Sequence, residues 1–187
     1  MPSRLAALTL AALLLGQPLV ANDAGAPIIA PLLSVDAKVD AFTTRLQYYV
    51  DYCRTWARPE YAVDCLSERF EFAAARLGNY GWQRDVKAQL RTAVRSLNKV
   101  TARYADPGAP PVTLRTGAGA PLAIVSSRPI KPVAPENRTR AATAAADVLE
   151  EAEFTLLRSA STSDASALAF AQVAAVLGSA KVLLRSA

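Results

Sequence analysis

The chain has 187 residues, with 21 Lys plus Arg against 16 Asp plus Glu and no His. It is 52% hydrophobic and 20% charged, which is too apolar for a disordered chain and enough for one ordinary domain. Without His there is no His-dependent general base, no His-ligated metal or haem, and no Ser-His-Asp triad.

Residues 1–21, MPSRLAALTLAALLLGQPLVA, have the layout of a secretory signal peptide. Arg4 gives a short basic start, a Leu/Ala run follows to Leu15, Gly16 and Pro18 break it, and Val20 and Ala21 are small. The apolar core is short against the roughly 20 residues of a spanning helix, so cleavage after Ala21 is expected. The later apolar run Ala165 to Leu184 owes its character to Ala and is interrupted by Gln172 and Lys181, so no membrane span is expected after cleavage. The expected destination is periplasmic or secreted. Residues 22–33, rich in Ala, Pro and Gly, read as an extended leader.

Export places Cys53 and Cys65 in an oxidising compartment. They are not C-x-x-C and no His follows, which argues against a thioredoxin-like site and excludes haem attachment; two thiols alone make a poor zinc site. Each lies six residues from Pro59. In a helical hairpin turning at Pro59 they stand at similar heights, so a structural disulfide is expected. The alternative is a bond between two chains, making a homodimer. On a helical wheel Cys53 joins Val39, Phe42, Leu46, Tyr49 and Trp56. Cys65 falls off the stripe of Val63, Leu66, Phe70, Ala73 and Leu77 and sits beside Tyr61 and Phe72, so the second helix needs two contact faces.

Ser34 can cap a first helix, Val35 to Ala57. Pro59 opens a second that runs to about Leu77 and stops at Gly78-Asn79; a third runs from about Gly81 to Ala105. Residues 106–135 hold seven of the twelve prolines and form a linker or a crossover strapped along the bundle. Within them a short hairpin between Val112–Arg115 and Leu122–Val125 is an expectation of the pattern. A fourth helix is expected at about Glu136 to Ser159 and a fifth at Ser163 to Arg185, with Ser161-Thr162-Ser163-Asp164 as the turn. Their faces (Ala141, Ala145, Val148, Leu149, Ala152 and Leu156; Ala169, Val173, Val176, Leu177, Ala180 and Leu184) are Ala-rich and bury little area. This hairpin is therefore expected to dock on the first three helices or on a partner. The fold class is all-α, a helical bundle of about five helices. A disulfide-pinned three-helix unit (34–105) and a C-terminal helical hairpin (136–187) are joined by the long Pro-rich crossover.

The third helix sets Val86, Leu90, Ala93, Leu97, Val100 and Tyr104 against Arg84, Lys87, Arg91, Arg95, Lys99 and Arg103. The basic face suits an anionic partner: a lipid surface, a cell-wall polymer or an acidic protein. The plain alternative is a solvated helix face. Nucleic acid is not expected, because no aromatics interleave these cations. Phe154 and Leu157 stand off the buried stripe of the fourth helix and form a second candidate contact surface. The acids around them, Asp147, Glu150, Glu151 and Glu153, read as solvated or as paired with the third helix. They lack the Glu-x-x-His of di-iron bundles. Among the aromatics near the first turn, which include Tyr49, the residues Tyr48, Tyr52, Trp56 and Trp82 are candidates for a ligand cleft, with core packing as the alternative. Gly117-Ala118-Gly119 lacks the Lys-Ser/Thr of a phosphate loop, and Asn137-Arg138-Thr139 matches a glycosylation acceptor. No catalytic residue, metal or cofactor is expected. The sequence reads as an exported, non-enzymatic helical binding or scaffolding protein of the cell envelope, meeting an envelope protein or an anionic surface. A small-ligand binder with an aromatic cleft and an enzyme using carboxylates alone are the alternatives.

Overall fold

Apolar side chains recur every three to four positions along five segments, and each of these segments is a helix. The helices are α1 (Val35–Trp56), α2 (Ala62–Ala75), α3 (Gly81–Arg103), α4 (Arg138–Ala160) and α5 (Ala167–Ser186). The computed structural model describes residues 35–162 and 166–186. The expected signal peptide, leader, Ser34 cap and Ser163-Asp164 turn lie outside the described residues. Single 3-10 turns at Pro59–Tyr61 and Pro135–Asn137 lead into α2 and α4. Proline suits both places, because its fixed φ opens a helical turn and its missing N–H has no partner there to lose.

The helices pack as a closed ring. α1 lies on α2, α2 on α3, α3 on α4, α4 on α5, and α5 returns to α1. The C-terminal hairpin thus docks on both sides of the first three helices. Its Ala-rich stripes are buried as the sequence pattern predicts, at Ala141, Ala145, Leu149 and Leu156 and at Val173, Leu177, Ala180 and Leu184. The α1–α5 seam carries polar ties: Gln172 donates to Asp40 Oδ1 at 2.8 Å and accepts from Thr43 Oγ1 at 2.9 Å. By length and composition α5 is apolar enough to cross a membrane, despite Gln172 and Lys181. Half of its most apolar stretch is buried inside the bundle. Its two polar residues are accounted for by α1 and, below, by α4.

α2 is buried on more sides than the two expected. All nine residues from Ala62 to Phe70 are buried. Neighbouring helices cover it on two sides, and the crossover covers a third. Cys53 and Cys65 are joined within the chain, their Cα atoms 5.8 Å apart, and both are buried. This settles the height match at the α1–α2 turn.

The crossover leaves α3 and returns to α4 at the same end of the bundle. There Ala134 N–H donates to Tyr104 O at 2.8 Å and Asp106 N–H to Pro132 O at 3.0 Å. Between these points it doubles back as a ribbon of isolated antiparallel bridges. Val112 and Ile130 exchange both backbone bonds, at 2.9 and 2.8 Å, and Arg115 faces Val125. The expected pairing of 112–115 with 122–125 is met only at Arg115. The second arm takes five steps between the two bridges where the first takes three. The extra residues, within 126–129, form a bulge that turns toward α2, as bulges commonly re-aim side chains. At the tip Gly119 has φ +85°, and a Cβ on Gly117 would come within 2.6 Å of the Trp56 ring. Glycine at 117 lets the ribbon lie against Trp56 of α1, and a side chain there would push the indole aside.

The closed loop between the cysteines is short (sequence separation 12). Replacing both cysteines by Ala is expected to lower unfolding free energy by about 3 kcal/mol in the chain-entropy picture, read from urea midpoints of oxidised parent and variant.

Candidate functional site

Two consecutive turns of α2 carry charge into the interior. Asp64, Glu68 and Arg69 are 2%, 0% and 1% exposed. Buried charges cost several kcal/mol each unless paired and hydrogen-bonded. The ribbon bulge supplies the partners. Arg128 grips Asp64 with both Nη atoms, at 2.7 and 2.9 Å, and Lys131 N–H donates to the same carboxylate at 2.7 Å. Hydrogen bonding to Asp64 holds the Arg128 guanidinium above its ordinary range. Ser127 donates to Glu68 from both its backbone N–H (2.7 Å) and its Oγ (2.6 Å). Glu68 also pairs with the adjacent Arg69 side chain. On the α3 side, Ser67 Oγ donates to Asn98 Oδ1 at 2.8 Å.

Beside this seam lies an open cleft of about 440 Å³. α1 contributes Arg45 and Tyr49, α2 contributes Arg69, Phe72 and Arg76, and the ribbon contributes Leu122, Ala123, Ile124 and Val125. The Arg69 guanidinium carbon lies 4.7 Å from the Phe72 ring centre and 5.5 Å from those of Tyr49 and Tyr52. Arg76 lies over Phe72 at 3.2 Å. Tyr49 and Phe72 meet edge to face, 5.8 Å between centres. Behind them the Tyr52 hydroxyl is buried without a hydrogen-bond partner. Burial pushes its pKa from 10.0 up to about 12, with Arg69 opposing and Glu68 adding to the rise.

The six α3 cations are held differently. Arg84 pairs with Asp85 at 2.7 Å. Lys87 is a structural residue, donating to Leu77 O at 2.9 Å and Asn79 Oδ1 at 2.8 Å and so closing the end of α2. Arg95 bonds Thr92 Oγ1 at 2.9 Å, and Arg103 lies over the Tyr104 ring at 5.4 Å. Arg91, Arg95, Lys99 and Arg103 are exposed, and among the described residues none forms an ion pair. Phe154 and Leu157 are exposed on α4, 55% and 45%, with Arg158 over the Phe154 ring at 5.0 Å. The expected pairing of α4 acids with α3 is corrected. Glu153 pairs with Lys181 at 2.5 Å and Glu150 with Arg185 at 3.7 Å, because α5 presents cations at the matching height and α3 turns its own outward.

The four candidate cleft aromatics do not come together. Trp82 packs on Phe42, 5.8 Å between ring centres, near the start of α1. Trp56 covers Gly117 at the far end of α1. Fourteen helical residues separate those places, about 21 Å. Tyr48 donates to Leu122 O at 3.1 Å and accepts from Leu122 N–H at 3.2 Å, and Tyr52 is core. Tyr49 and Phe72 line a cleft in their stead. Sequence reasoning missed Asp64, Glu68 and Arg69. The available signal was three charged residues in a helix whose cysteine already demanded a second buried face. No protein family, curated protein or solved structure matches the chain.

Glu68→Gln leaves Arg69 buried without its counter-charge and is expected to cost about 3–5 kcal/mol in stability. Hydrogen exchange should quicken at residues 125–131 in the same variant, which checks that the loss falls on the ribbon. Tyr52 gives a separate expectation. Its folded pKa is raised, so its contribution is complete below pH 10 and is lost as pH climbs from 10 to about 12. Denaturation midpoints across that window should fall more steeply in the parent than in Tyr52→Phe.

Proposed function

We propose that the chain is an exported, non-enzymatic binding protein of the cell envelope that holds an anionic surface along α3. The observation that carries this reading is the row of Arg91, Arg95, Lys99 and Arg103. They recur every fourth residue over about 18 Å of helix and are exposed. No acid of another helix is paired with them among the described residues. The only acid within α3 is Asp85, already taken by Arg84.

The rest of the fold supports such a role. The opposite face of α3 is anchored through Val86, Leu90, Ala93 and Leu97, so the cations ride on a packed helix and their spacing needs little ordering on contact. Charges separated by more than about 8 Å of physiological salt solution are largely screened, so such a face acts at contact range and by number. The signal-like residues 1–21 and the buried disulfide support export. Phe154 and Leu157 offer an apolar edge that a protein partner of the envelope would add to this contact. A second reading, small-ligand binding, is favoured by the Arg/aromatic cleft rather than by the four aromatics first considered.

The triple variant Arg91→Glu, Arg95→Glu, Lys99→Glu should keep its helical circular dichroism and lose about tenfold or more of its retention on vesicles containing anionic phosphatidylglycerol. In-cell crosslinking of the exported chain, followed by capture and mass spectrometry, should show the same loss. Undiminished retention and unchanged crosslinks in the variant would overturn the reading.

A further inference from the structure

We propose that the cleft between α1, α2 and the ribbon is a binding site for an organic carboxylate carried on a flat apolar body. It is separate from the α3 face and does not depend on that reading.

Charge is the first reason. Arg45, Arg69 and Arg76 all line the cleft. Arg69 is almost wholly buried, with Nε and Nη2 committed to Glu68 and Nη2 also 3.5 Å from Val125 O. Its Nη1 has no hydrogen-bond partner among the described residues. Glu68 balances the charge of Arg69. Arg45 and Arg76 have no acid partner among the described residues, so the cleft keeps two uncompensated cations. A guanidinium fork matches a carboxylate bidentately.

The remaining lining is apolar and aromatic. Tyr49, Phe72, Leu122, Ile124 and Val125 face the same space. Leu122 and Val125 are exposed although they are large and apolar. A bare inorganic ion would satisfy the cations and leave these walls untouched, whereas a ring or branched body covers them. The volume, about 440 Å³, falls in the range of small-ligand sites. The ribbon wall is also fixed in place. Tyr48 holds both backbone groups of Leu122, and Thr116 N–H donates to Ile124 O at 3.0 Å. Between them the backbone N–H and C=O of Ala123 have no partner among the described residues. They offer an amide-bearing ligand one further pair of hydrogen bonds. The carboxylate could belong to a free small acid or to the C-terminus of a peptide, and the probes below separate these sources.

The test is calorimetry of the exported full chain with four probes: N-acetyl-L-phenylalanine, its primary amide, sodium phosphate, and a tetrapeptide ending in Phe with a free C-terminus. Backbone amide shifts at residues 122–125 are followed in parallel. The acid should bind saturably and shift those amides, and the primary amide should bind about tenfold more weakly for want of charge-assisted bonds. Phosphate should bind more weakly still. A tetrapeptide tighter than the free acid would support the site and assign it to chain ends; a weaker one would support it and assign it to small acids. Arg45→Gln and Arg76→Gln, both on exposed side chains, should each lower acid affinity several-fold; Arg45→Gln should melt like the parent, and Arg76→Gln, which gives up a bond to Phe72 O, slightly below it. The α3 triple variant should bind the acid like the parent, which keeps this outcome distinct from that of the preceding proposal. Equal affinity for acid and amide, phosphate binding as tight as the acid, or no saturable shift at millimolar acid would overturn the proposal.

Discussion

Asp64 and Glu68 have been taken out of water in the first two turns of α2, and a carboxylate so buried is tolerable only if its surroundings donate to it. The donors come from the bulge at 126–129, through Ser127 and Arg128, and from the Lys131 amide just beyond it. The dependence runs in both directions. The crossover has few ladder bonds of its own, because its prolines lack N–H groups, and it needs external partners for the donors it does have. Two acids on a helix and a proline-rich ribbon thus satisfy one another. Neither the position of Arg69 nor the wall of the cleft beside it would be defined without that exchange.

The disulfide works on the same region from the other side. Cys65 is the residue after Asp64, so tying it to Cys53 fixes the height of the acids against α1. That is the height at which Tyr49 and Tyr52 reach the Arg69 guanidinium. A covalent tie, an ion pair and a ring-lined cation therefore meet within about two turns of α2. α2 is short for a helix so completely covered, with 14 residues, and it makes up in polar and covalent contacts for the apolar length it lacks.

The five helices were legible because their amphipathic stripes are periodic and their ends carry Pro or Gly. Leu90, Leu97, Leu149 and Leu177 are buried where a wheel puts them. The disulfide was legible from symmetry about Pro59. The polar seam was hidden, because Asp64 and Glu68 look like surface acids until the segment that covers them, some 60 residues further on, is in place. The ribbon register was missed for a related reason. A bulge is set by what it must reach, and no alternation along 112–130 records the position of α2. Lys87 shows the same limit within a well-read element, since a cation on a basic face cannot be distinguished by spacing from one that closes a neighbouring helix. The cleft residues Arg45 and Arg76 belong to different helices, and only packing makes them neighbours.

Closure of the ring between α1 and α5 has a consequence for how the chain comes together and comes apart. Thr43 and Gln172 are 129 residues apart, against 12 for the cysteines. Loop-closure entropy grows only with the logarithm of that separation, yet the difference still amounts to about 2 kcal/mol. The α4–α5 hairpin and the α1–α2 turn are local and can form early, whereas the first and last helices must find each other across nearly the whole chain. Their meeting line also carries polar groups, among them Asp40, Thr43 and Gln172. Among the helix pairs of this bundle it is the one whose opening returns the most freedom to the chain for the contacts given up.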